Sequence, residues 1–165
     1  MEILQHISFD EIDNVKKLYV DFIIKSDHED VRQITHDLQI TPTIAFNNGD
    51  KYIAQRYNPE TGKKTPVITR HTSSIWRLHT EHLSNEKRRV EEHIAYLLDI
   101  LEPKKEIIEK YLQQKETYTV NFFIYWQPID EWGSYVLNAE MLKRISALCH
   151  DVEFEFSYFL DKDGK

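Results

Sequence analysis

Arg77, His79 and Glu81 stand two residues apart in the stretch 70–81, RHTSSIWRLHTE. In a strand that spacing puts all three on one face, with Ile75, while Ser74, Trp76, Leu78 and Thr80 take the other. A cation, an imidazole and a carboxylate in a row are groups that a binding or acid–base site uses. The plainer reading is a solvated strand face crossed by an ion pair. Glu153 and Glu155 show the same period near the C-terminus. Brought opposite Arg77 or His79, they would form either a cluster with shifted pKa values or an ion-pair lattice that keeps an open sheet face soluble.

Eight histidines invite a metal reading, and His71, His79, His82 and His93 gather around the Trp76 segment. A site of His79 with His82 or His93 and Glu81 is conceivable. No HExxH occurs, however, and no Pro-Cys-x-x-Cys follows His79-Thr80-Glu81 as a zinc deaminase requires. We therefore expect no metal and no cofactor. Cys149 is followed by His150, but neighbours on a helix point about 100° apart, so they form no nucleophile pair. Cys149 also lies on an apolar stripe and reads as a buried structural thiol. No catalytic residue is assigned. Trp132, beside Gly133 in the polar loop 127–135 and near Tyr125, Trp126 and Tyr135, is either an interface anchor or a plug for one end of the core.

Composition narrows the choices. The 165 residues suit one domain, 1–165, with an entry segment 1–17 and a frayed tail 161–165. Net charge is −7 and the basic clusters make no stripe, which argues against nucleic acid. No run nears the roughly 20 apolar residues of a membrane span, and the N-terminus lacks a signal-peptide pattern. One cysteine excludes an internal disulfide and fits a reducing cytoplasm. Four glycines, none close together, exclude a P-loop or dinucleotide-binding loop.

The elements that must position these residues are legible from period and caps. Strands are expected at 18–25, 51–57, 64–70, 74–81, 117–126 and 152–159. The last should turn Val152, Phe154, Phe156 and Tyr158 inward. Asn58-Pro-Glu-Thr-Gly62 closes a polar hairpin arm, and Asn48-Gly49 marks a turn. Helices are expected at 28–38 (capped by Ser26 or Asp27), from Ser84 to Leu101, at 103–115, and after Asn138. That last helix should bury Met141, Leu142, Ile145, Leu148 and Cys149. Together these predict an α+β fold: a mainly antiparallel sheet with helices on one face and a hairpin arm. The strand–helix–strand unit at each end points to ferredoxin-like halves.

The opening strand YVDFIIKSDH, the LQITPT turn, Gly49-Asp50, SSIWRL, EEHIAYLLDILEP and the closing aromatic strand resemble the bacterial domain-of-unknown-function family numbered 4279, over residues 18–160. The resemblance implies an intracellular bacterial α+β domain and brings no established activity or cofactor.

The expected function is a non-enzymatic protein-binding module acting through Arg77, His79, Tyr125, Trp132, Glu153 and Glu155. An immunity or antidote role against a toxin suits a small acidic protein. The competing expectation is a small enzyme or ligand binder in which Arg77, His79, Glu153 and Glu155 converge on one concave pocket. Oligomeric state is not readable from the sequence.

Overall fold

The computed structural model describes residues 15–129 and 135–157. Strand β1 (Val15–Ser26) runs through the middle of a five-stranded sheet ordered β2-β5-β1-β6-β7. Its partners are β2 (Ile44–Phe46), β5 (Ser74–His79), β6 (Tyr118–Pro128) and β7 (Asp151–Phe156). All pairings are antiparallel except β6 with β7. A separate two-stranded ribbon, β3 (Lys51–Tyr57) with β4 (Lys64–Arg70), joins β2 to β5.

Period-two patterning explains the central position of β1. Leu18, Val20, Phe22 and Ile24 are buried, as are Trp76 and Leu78 on β5 and Tyr118, Val120, Phe122, Ile124 and Trp126 on β6. Helices α1 (Val31–Leu38), α2 (Val90–Leu101), α3 (Lys105–Gln113) and α4 (Ala139–Ser146) supply the other half of that core through Ile34, Leu38, Ile94, Leu97, Leu98, Ile108 and Ile145. Trp76 packs edge-on against Phe22 and donates its indole N–H to Thr35 Oγ1 at 3.1 Å, so its one polar atom is satisfied.

The two terminal units differ. In β1–α1–β2 the strands are parallel to each other with antiparallel β5 inserted between them, which is the split arrangement of a ferredoxin-like half. In β6–α4–β7 the parallel strands are direct neighbours, so the second half is not split.

Several expected boundaries shift for physical reasons. Helix α1 starts at Val31 because Asp30 caps it, accepting from the Arg32 N–H at 2.8 Å. Ser26 instead takes the His28 and Glu29 N–H groups in the preceding turn. Ser84 caps no α-helix: its hydroxyl donates to the Leu18 carbonyl at 2.6 Å, and α2 begins six residues later at Val90. Pro103 sits in a 3-10 turn, Glu102–Lys104, ahead of α3. Asn138 does cap α4, accepting from the Met141 N–H, yet Leu142 stays exposed. Phe154 and Phe156 on edge strand β7 are 42% and 61% exposed rather than inward, although Tyr135 stacks on both.

Candidate functional site

The helices pack on one side of the sheet, and the residues of interest lie on the other. Cross-strand register places Asp21 opposite His79 and Phe123, Ile23 opposite Arg77 and Asn121, and Tyr19 opposite Tyr125. The parallel pairing continues the rows from Asn121, Phe123 and Tyr125 to Asp151, Glu153 and Glu155. Registered partners share a face, so these side chains form one surface.

Asp21 is the centre of a chain of charges. It is only 1% exposed although it lies on the face away from the core. His79 Nδ1 approaches its Oδ1 at 2.6 Å, and Arg77 donates to its Oδ2 at 3.2 Å. The other ring nitrogen of His79 meets Glu81 Oε2 at 3.0 Å, and Lys17 pairs with Glu81 Oε1 at 2.9 Å. The His79 ring thus bridges the two carboxyl groups, one nitrogen to each. Burial is the dominant influence on Asp21 and raises its carboxyl above the ordinary range, outweighing the opposing pull of His79 and Arg77. Glu81 moves down, first because Lys17 donates to it and then because His79 does. Lys17 is raised, chiefly by that same bond.

Aromatic rings adjoin this chain. Tyr19 stacks on Tyr125 with centroids 4.8 Å apart and packs against His79 at 4.7 Å, with Phe123 6.1 Å away. Lys17 Nζ lies 5.4 Å from the Tyr19 centroid, within cation–π range. Beyond the rings, Asp151, Glu153 and Glu155 stand exposed along β7.

The predicted residues therefore fall into separate groups. Arg77 and His79 meet at Asp21. Tyr125 belongs to the neighbouring aromatic strip. Glu153 and Glu155 lie on β7 with β1 and β6 intervening, roughly 14 Å from β5 at three strand spacings. The four polar residues do not converge on one point. Trp132 lies outside the described residues. Asp21 was the residue that sequence reasoning missed. Its signal was a single carboxylate in the otherwise apolar stretch Leu18–Ile24, on the face opposite Leu18, Val20, Phe22 and Ile24.

Four other histidines have structural duties. His93 is buried, bonded to Thr80 Oγ1 at 2.7 Å and to the Lys87 carbonyl at 2.9 Å, and burial lowers its pKa. His71 is sandwiched between Phe46 and Tyr52, and His82 packs on Tyr96. His150 Nε2 donates to the Leu112 carbonyl while Nδ1 accepts from the Val120 N–H, so the ring ties α3 to β6. Among the described residues, no three His, Cys, Asp or Glu side chains group so as to hold a metal ion. Cys149 is buried and its thiol is pushed up to about 11, away from nucleophile chemistry. A cleft of about 400 Å³ opens on the helical side, lined by Asp37, Lys110, Tyr111 and Tyr118. None of the residues singled out from the sequence lines it.

A model of the domain of unknown function DUF4279 matches residues 16–159, from the start of β1 to just past β7. The chain belongs to this family. No curated protein and no solved structure matches it. Among the described residues, no helix of this DUF4279 domain is long and apolar enough to cross a membrane.

Proposed function

We propose that this DUF4279 protein is a binding module that takes a basic protein segment on the helix-free face of its sheet. The carrying observation is the aromatic strip of Tyr19, Tyr125 and Phe123, bordered on β7 by Asp151, Glu153 and Glu155. Half-exposed rings offer apolar area and cation-attracting faces at small entropic cost. The carboxylate border favours Lys or Arg, and the chain's net charge of −7 steers such a partner towards it. A strip of rings spread along a sheet face suits another protein better than a small molecule, which would bury most of its surface in a concavity. An antidote-like role, masking a basic toxin, is the biological form that best fits a small acidic binder.

Affinity capture from soluble extract with the full chain, Tyr125→Ser and the double variant Glu153→Lys/Glu155→Lys tests the reading. The expected result is one basic protein retained by wild type and lost from both variants. Amide shifts on titrating that protein should then map to β1, β6 and β7. Capture unaffected by both variants, or shifts confined to the helices, would overturn it.

A further inference from the structure

The β3–β4 ribbon contrasts with the body it leaves. Residues 50–70 carry Lys51, Arg56, Lys63, Lys64 and Arg70 against Asp50 and Glu60, a net +3, so the remainder of the −7 chain carries −10. One face of the ribbon is exposed from base to tip. Its registered pairs are Lys51 with Arg70, Ile53 with Ile68, Gln55 with Pro66, and Tyr57 with Lys64. Ile53 and Ile68 are 70% and 75% exposed, and Tyr57 is 58% exposed. A lone two-stranded ribbon is marginal in water, and neighbouring exposed isoleucines on one are characteristic of a contact surface.

The pattern on that face is cation, apolar, cation: Lys51 and Arg70 at the base, Ile53, Ile68 and Pro66 in the middle, Lys64 beside Tyr57 at the tip. The body of the same chain carries the complement, with an aromatic strip in the middle of the helix-free face and the exposed carboxylates of Asp151, Glu153 and Glu155 along β7, while Glu81 on the other side is already held by Lys17 and His79. Dimensions agree. Seven ribbon residues extend roughly 20 Å, and four strand spacings make the sheet about 19 Å wide. The ribbon emerges from β2 at one edge of the sheet and the carboxylate row lies on β7 at the other, so the two surfaces are unlike and separate.

We propose that the β3–β4 arm of one copy lies across the helix-free sheet face of a second copy. Ile53, Ile68 and Pro66 cover Tyr19, Tyr125 and Phe123, and the arm's lysines meet the carboxylates. This inference rests on the reading of that face as a docking surface for basic segments, and names a second copy of this chain as one occupant. Like faces of two arms do not pair instead, because that would set cation against cation. A bound foreign partner displaces the arm, so self-association and partner capture compete.

Sedimentation of the full chain over a dilution series, at low and high salt, reads the outcome. The expected result is mass above the 19.8 kDa monomer at low salt, dissociating on dilution and at high salt. The exposed-site variant Ile53→Ser/Ile68→Ser should weaken association by about tenfold or more, with an unchanged unfolding midpoint. Lys51→Glu/Lys64→Glu and Glu153→Lys/Glu155→Lys should each be monomeric alone. Mixed, they should associate, because the mixture holds one native arm and one native face. A wild-type chain that is monomeric throughout, or association that survives the arm variants, overturns the arm proposal. A monomeric chain that still captures a basic protein in a Glu153- and Glu155-dependent way leaves the docking-face reading standing without it. Association lost in the arm variants but untouched by Glu153→Lys/Glu155→Lys places the arm on a different surface and overturns the arm proposal, while the docking-face reading falls only if capture of a basic protein also survives that variant.

Discussion

Replacing Asp21 probes a carboxyl group buried on the docking side of the sheet. Removing one partner from a buried ion pair costs about 3–5 kcal/mol, because the other charge is left without its counterpart. Here two features reduce that figure. His79 keeps Glu81 at 3.0 Å, and the Arg77 side chain is 26% exposed, so water reaches part of its charge. Asp21→Ala should therefore destabilise the fold by about 2–3 kcal/mol. Asp21→Asn keeps the shape and one acceptor while removing a carboxylate whose burial is already unfavourable, so its cost should be nearer about 1 kcal/mol. Urea unfolding followed by circular dichroism measures both. With a slope of about 2 kcal/mol/M, the Ala variant should lower the midpoint by about 1–1.5 M with the slope unchanged. A double-mutant cycle with His79→Ala should return a coupling of at least about 1 kcal/mol. A midpoint shift under about 0.3 M for Asp21→Ala, the size expected of an exposed pair, would refute the account, as would equal costs for Ala and Asn.

Two further outcomes follow from buried groups. Because burial lowers the His93 pKa in the folded protein, the unfolded chain takes up the proton first as pH falls. The corresponding stability is present above about pH 6.5 and is lost as pH drops through the lowered value. His93→Leu should show a shallower loss between neutral and mildly acidic pH by urea unfolding, and a slope as steep as wild type would exclude His93 as the source. The Cys149 thiol, pushed up to about 11 by burial, should resist alkylation at mildly alkaline pH in the native protein and react freely in urea. Native-state labelling at the rate of a free thiol would contradict its burial.

Much of the fold was legible because period and turn chemistry are local. The alternation in β1 and β6 picked out the core side chains from Leu18 to Ile24 and from Tyr118 to Trp126, while Asp21, on the opposite face, is buried as well. Both ribbon strands fell where Asn58–Gly62 implied. Local signals failed where a nearer or tertiary partner took over. Ser84 looks like a helix cap, but its hydroxyl serves the Leu18 carbonyl 66 residues earlier in the chain. Phe154 and Phe156 alternate like core residues, but β7 is an edge strand and leaves them substantially exposed.

The candidate surface divides the same way. That Arg77 and His79 share a strand face, as do Glu153 and Glu155, was decided by the sequence, since two-residue alternation is a property of any strand. Glu81, expected on the same strand, lies beyond its end in a 3-10 turn, Glu81–Leu83. The basic ribbon, the acidic remainder, and the lack of glycine-rich phosphate loops were likewise written in the order of residues. Tertiary structure alone decided which strands are neighbours. Placing β1 between β5 and β6 set Asp21 against His79 and Arg77 and Tyr19 against Tyr125, while keeping Glu153 and Glu155 on the far edge. Strand order depends on which buried faces pack together across the whole chain, and no local pattern within Asp21 or His79's own segment carries that information.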